Sequence, residues 1–134
     1  MAKGSPGQAR TLILRYWLPV LVYVSTIFAL SAQSRLSSPL HFQNSDKVMH
    51  LLEYGGLGVL LSRAIRASFS SWPWVATSLL TLGVGMAVGA GDEVFQSFVP
   101  GRDSTVFDWF ADSAGMVLAQ IGFLALAKDK EKHD

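Results

Sequence analysis

YWLPVLVYVSTIFALSA, residues 16–32, runs for seventeen residues without a charge. At about 1.5 Å per residue such a helix is about 26 Å long, close to the thickness of a bilayer's hydrocarbon core. Tyr16 and Trp17 stand at its entry, where an interfacial aromatic belt lies. Lys3, Arg10 and Arg15 ahead of a run that ends in small residues also match a secretory signal. The run exceeds the usual signal core of about 7–15 residues, so a retained membrane span is expected.

Three further runs follow. The second, 48–66, reaches spanning length only with His50 and Glu53 inside it; the third, 74–91, is entered through Trp72 and Trp74; the fourth, 106–127, carries Asp108 and Asp112 near its start. The pattern predicts an all-α polytopic bundle of about four transmembrane helices, one domain over residues 1–134, with a polar tail from Lys128. Composition agrees: 50% of residues are hydrophobic and 16% charged, against about 25% charged in a soluble domain. A net charge of +1 gives no basic stripe for nucleic acid. The absence of cysteine excludes disulfides, thiolate metal sites and thiol catalysis.

Lysine and arginine set the orientation. Lys3, Arg10, Arg15, Arg63, Arg66, Lys128, Lys130 and Lys132 fall on one side of a four-span arrangement, and Arg35, Lys47 and Arg102 on the other, eight against three. The positive-inside rule then places both termini in the cytoplasm. The start of the second span, the end of the third and the start of the fourth meet at the outer face.

Those three places hold most of the unusual polar residues. Asp46, His50 and Glu53 share one helix face by their spacing, with Lys47 and Tyr54 beside His50. Ser45 or Asp46 is expected to cap the helix, whereas His50 and Glu53 lie too deep for that role. Asp92 and Glu93 follow Gly91, where the third span ends or the helix continues through Gln96. Pro100-Gly101 marks a turn; Arg102, just after it, has the fork geometry that suits phosphate or carboxylate, or else pairs with Asp103 or a neighbouring acid. Asp108, Asp112, Gly115, Ala119 and Gly122 form one stripe on the fourth helix, and Gly85/Gly89 a second small-residue face. Charges at membrane depth normally face a partner or a wet cavity.

With these residues in view, the chain resembles the VanZ-like family of small bacterial membrane proteins, named for a glycopeptide-resistance accessory protein. One matching block is Asp46-Lys47, His50, Tyr54, Leu57 and Leu60. The other is GDEVFQSFVPGRDSTVFDWFADSAG, residues 91–115, where Asp92-Glu93, Gln96, Pro100-Gly101-Arg102, Asp108 and Gly115 fall at the family's spacing. Many relatives look to carry Asn where this chain has Asp112. The resemblance implies a cell-envelope protein linked to glycopeptide antibiotics, and a wider idea assigns such proteins to processing phosphate-bearing lipid head groups.

The enzyme reading makes His50, Asp92, Glu93 and Asp108 catalytic, with Lys47, Tyr54, Gln96 and Arg102 holding a lipid phosphate or lipid-linked intermediate. Asp46, Glu53 and Asp112 support them, and Asp108 or Glu53 is expected to orient His50. Asp92, Glu93, Asp108 and His50 also offer ligands to a divalent cation, without a standard metal spacing. The rival is a non-catalytic binding or scaffold protein, monomeric or oligomeric, whose charges form a structural ion-pair network. Transport ranks third, since four short helices leave little room for alternating access.

Topology is directly testable. A reporter fused after Asp134 is expected to read cytoplasmic, and one inserted within residues 35–43 external. A C-terminal fusion active only outside the membrane reverses the assignment.

Overall fold

The computed structural model of the protein describes residues 6–34 and 44–133, with side chains as far as Leu126. Lys3, Arg35 and the side chains of Lys128, Lys130 and Lys132, which enter the orientation count, lie outside the described residues. Four long helices follow one another: α1 (Pro6–Ser31), α2 (Ser45–Ser68), α3 (Trp74–Ser97) and α4 (Val106–His133). No strand occurs among the described residues. Helix α1 starts ten residues ahead of the apolar run because nothing breaks it there, and Pro6 suits a first helical position. It contains one π turn, Ile13–Trp17, in which the Leu18 N–H reaches the Ile13 carbonyl. Pro19, which has no N–H to give, follows directly.

Helices α1 and α3, and residues 106–126 of α4, are each long and apolar enough to cross a membrane. Helix α2, at 24 residues about 36 Å long, has the length but not the composition. Its place in the bundle explains the difference. It contacts all three other helices, α4 most closely, and supplies Tyr54, Leu57, Leu61, Ala64 and Ile65 to a buried core completed by Val20, Ile27 and Met116. A helix enclosed in this way can carry polar groups that a lipid-facing helix cannot.

Small residues set the distances. A Cβ on Gly115 would overlap the Leu51 carbonyl oxygen and come within 2.8 Å of the Gly55 nitrogen, both backbone atoms of α2. One turn on, a Cβ on Gly58 would lie 2.7 Å from that of Ala119. Gly85 accommodates the Met116 side chain, and Gly89 packs on Tyr54 and Asp112. The two glycine faces therefore do not meet each other: that of α3 receives α4 side chains, and Gly115 receives the backbone of α2. Gly122, expected on the same packing stripe, is exposed, and a Cβ added to it would meet nothing within 4 Å.

Met116 is fully buried between Gly58 and Gly85. Beyond it lies a second polar layer, where Gln120 donates to the Ser62 hydroxyl at 2.7 Å and Ser62 to the Gly58 carbonyl. The end of the bundle farthest from the acids is basic and aromatic. Arg66 stacks on Trp74 at 4.1 Å from the ring centre, Arg15 and Arg63 approach Tyr16, and Trp17 donates to Ser68.

At the other end one open choice is decided and one expectation is corrected. Helix α3 does not stop at Gly91 but runs to Ser97, carrying Asp92, Glu93 and Gln96 into the bundle as buried residues. Neither Ser45 nor Asp46 caps α2: its boundary is Asn44 in the left-handed conformation (φ 63°), with no side-chain cap bond.

Gly115→Ala is expected to destabilise the protein by about 1–3 kcal/mol, because backbone cannot retreat from the added carbon as a side chain can. Gly122→Ala should be neutral or slightly stabilising. Melting temperature and folded yield in detergent measure both, and equal behaviour of the two variants contradicts the close α2–α4 approach.

Candidate functional site

The start of α2, the end of α3 and the start of α4 come together, as their shared end of the bundle requires. Three linked groups of side chains occupy the junction.

The central group joins all three helices. His50 Nδ1 lies 2.9 Å from Asp112 Oδ1 and 4.0 Å from Glu93 Oε1. Asp112 is fully buried, while the His50 and Glu93 side chains are 14% and 10% exposed. Asp112 Oδ2 and Glu93 Oε1 have no hydrogen-bond partner among the described residues. The expectation that Asp108 or Glu53 orients His50 gives way here: one turn deeper than Asp108, Asp112 faces the ring.

The second group closes the start of α4. Lys47 reaches Asp46 at 2.9 Å and Asp108 at 3.0 Å. Thr105 completes it, its hydroxyl donating to Asp108 Oδ2 at 2.7 Å and accepting from the Asp108 N–H at 3.3 Å. The hydrogen bond from Lys47 holds the Asp46 carboxyl below its ordinary pKa. In turn Asp46, and after it Asp108, holds the Lys47 ammonium above its ordinary pKa. Lys47 is thus already engaged twice.

The third group lies against α1. Gln96 donates to Asp92 Oδ2 at 3.1 Å and to Ser31 Oγ at 3.0 Å, and the Tyr54 hydroxyl approaches Asp92 at 3.5 Å. Tyr54 and Gln96, expected to touch substrate, are both buried; in this arrangement they hold Asp92. Glu53 is half-buried and within electrostatic reach of His50, Asp92, Asp112 and Arg102. Its carbonyl accepts from the Tyr23 hydroxyl at 3.0 Å.

The loop between α3 and α4 covers this junction. The Arg102 N–H bonds to the Val99 carbonyl at 3.2 Å, closing a turn over Pro100 and Gly101, whose φ of +80° favours glycine. Ser104 donates to the carbonyl and to Oε2 of Glu93. Arg102 is half-buried and makes no ion pair with a described residue, so the expected pairing with Asp103 does not form. Sequence reasoning did not single out Ser31, Ser104 or Thr105. Serine and threonine near loops carry no signal of their own, and Ser31 stands 65 positions from its partner.

The family model described as VanZ/LLP1 matches residues 3–127. No curated protein and no solved structure matches the chain.

Removing Lys47 tests the second group. The Asp108 side chain is only 6% exposed, so Lys47→Met strands a buried carboxylate. The cost should fall between the 0–1 kcal/mol of an exposed pair and the roughly 3–5 kcal/mol of a buried one. Asp46→Asn, whose side chain is 57% exposed, should cost less than about 1 kcal/mol. Thermal melts of the two variants in detergent check the order.

Proposed function

We propose that this chain, which belongs to the VanZ/LLP1 family, is a membrane enzyme acting on phosphate-bearing lipid head groups or lipid-linked cell-wall intermediates. It sits in the cytoplasmic membrane with both termini inside, and its site opens at the extracytoplasmic face. The observation that carries the reading is the contact of His50 with Asp112 and Glu93 at 2.9 and 4.0 Å, partly open at one end of the bundle. An imidazole set against two carboxylates is the arrangement of a general acid–base centre or an oriented nucleophile. Arg102, with no ion pair among described residues, is the group placed to receive a phosphate in bidentate fashion. Glu53 and Asp92 set the field around His50, and Tyr54 and Gln96 fix Asp92. Such a site opens at head-group depth, which accords with the family resemblance and its link to glycopeptide antibiotics.

A second reading has its own observation. Lys47 and Asp108 already neutralise each other, as members of a structural ion-pair network do, and in a scaffold or binding protein the whole cluster would serve that end. The two readings divide the residues differently. Chemistry centres on His50, Glu93 and Asp112; Lys47, Asp46 and Asp108 hold the helix starts.

His50→Ala separates them, with Asp108→Asn as the structural comparison. The readouts are release of phosphate or head group from bacterial lipid extract, glycopeptide susceptibility of complemented cells, and melting temperature. For the enzyme, His50→Ala should lower turnover by about 100-fold or more at near-normal stability. Parallel loss of activity and stability supports the network, and full activity in His50→Ala ends the site assignment.

A further inference from the structure

We infer that His50, Glu93 and Asp112 bind a divalent cation, and that this cation makes the site receptive to an anionic head group.

The geometry stands first. One ligand atom from each of the three residues lies within 4.8 Å of the others. Ligands about 2.1 Å from an octahedral ion are about 3 Å apart when adjacent and about 4 Å when opposite, and the observed separations from His50 Nδ1 are 2.9 Å to Asp112 and 4.0 Å to Glu93. Each residue comes from a different helix, so the set is fixed by the bundle rather than by one flexible loop.

The second observation is independent of spacing. Glu93 Oε1 and Asp112 Oδ2 are buried oxygens with no donor among the described residues. Glu93 is 8% exposed and Asp112 not at all. A buried carboxylate oxygen without a donor is costly, and a cation shared by both acids relieves the two sites together. Ser104 on Glu93 Oε2 leaves Oε1 free to turn toward the ion and supplies the outer hydrogen bond that ligating carboxylates usually have.

Charge supplies the third argument. Lys47 is committed to Asp46 and Asp108. His50 then lies within electrostatic reach of Glu53, Asp92, Glu93 and Asp112, and Arg102 within reach of Glu53. An anionic phosphate approaching that set meets an excess of negative charge, and a dication between Glu93 and Asp112 lowers that excess and offers the phosphate a positive centre. In the loaded site His50 gives Nδ1 to the ion in place of sharing a proton with Asp112. Two carboxylates and one imidazole suit Mn2+ or Zn2+ better than Ca2+.

This inference rests on the lipid-phosphate reading for its purpose, though not for its geometry. The test uses the full-length protein in detergent, stripped with EDTA, with Mn2+ as the probe read by electron paramagnetic resonance. One Mn2+ per chain is expected, with nitrogen modulation from the imidazole in the pulsed spectrum and a rise in melting temperature on saturation. Glu93→Gln and Asp112→Asn should each weaken binding at least tenfold, while Asp103→Asn, an exposed acid of the neighbouring loop, should not. Folded protein that binds no Mn2+, binds it without nitrogen modulation, or binds it equally well in Glu93→Gln overturns the site. Lipid turnover that survives EDTA in protein without bound Mn2+ overturns the cation and leaves the enzyme reading intact. Mn2+ bound as expected, with no turnover of any lipid phosphate, upholds the cation and overturns the enzyme reading instead.

Discussion

The contact of Gly115 with the backbone of Leu51 and Gly55 governs the rest of this molecule. In a bilayer, helices gain little by hiding apolar surface from one another, because lipid tails are as apolar as leucine. Close packing between small residues supplies the attraction instead. Here it brings α4 against α2 nearly backbone to backbone. Asp112 lies one turn before Gly115 and His50 one residue before Leu51, so the same approach sets the imidazole on the carboxylate. A wider helix separation would leave both groups buried and unpaired. Packing and chemistry share one distance.

The second constraint is where the cost of burying charge is borne. Helix α2 carries Asp46, Lys47, His50 and Glu53 near one end and Arg63 and Arg66 near the other. It is also the helix that supplies most of the buried core. The three helices around it are apolar enough to face lipid, and they shield the one that is not. Within the polar end, Asp108 and Asp46 neutralise Lys47, whereas Asp112 and Glu93 keep oxygens without donors among the described residues. One set of acids is satisfied and the other is left available.

Much of the architecture was legible in the sequence, because uncharged runs of near-spanning length admit few alternatives. The helical bundle, the turn at Pro100-Gly101 and the gathering of acids at one end all followed from spacing and hydropathy. The third helix was harder to end. Gly91-Asp92-Glu93 reads equally as the close of a span and as its continuation, and only the enclosing helices decide that both acids turn inward. The choice between Asp108 and Asp112 as partner to His50 was likewise beyond spacing alone, since both lie on one stripe and the answer depends on how deep α2 sits against α4. Gly122 looked like part of that stripe, yet near that depth it is Gln120 that meets α2, through Ser62. Ser31, Ser104 and Thr105 gave no signal at all: a hydroxyl becomes informative only when its partner is known.

Met116 has a consequence for energy conservation. A membrane that holds a voltage stores about 2.3 kcal/mol per charge for each 100 mV, and ionisable groups that penetrate it threaten to short-circuit that store. Along the α2–α4 interface two polar layers follow one another, the acids at one end and the Ser62–Gln120 pair beyond. Between them Met116 is fully buried against Gly58 and Gly85. A proton moving along that interface from the acids toward Gln120 would meet a thioether, which carries no proton to pass on. A thioether at that level separates the two polar layers of the α2–α4 interface as a gasket separates two compartments.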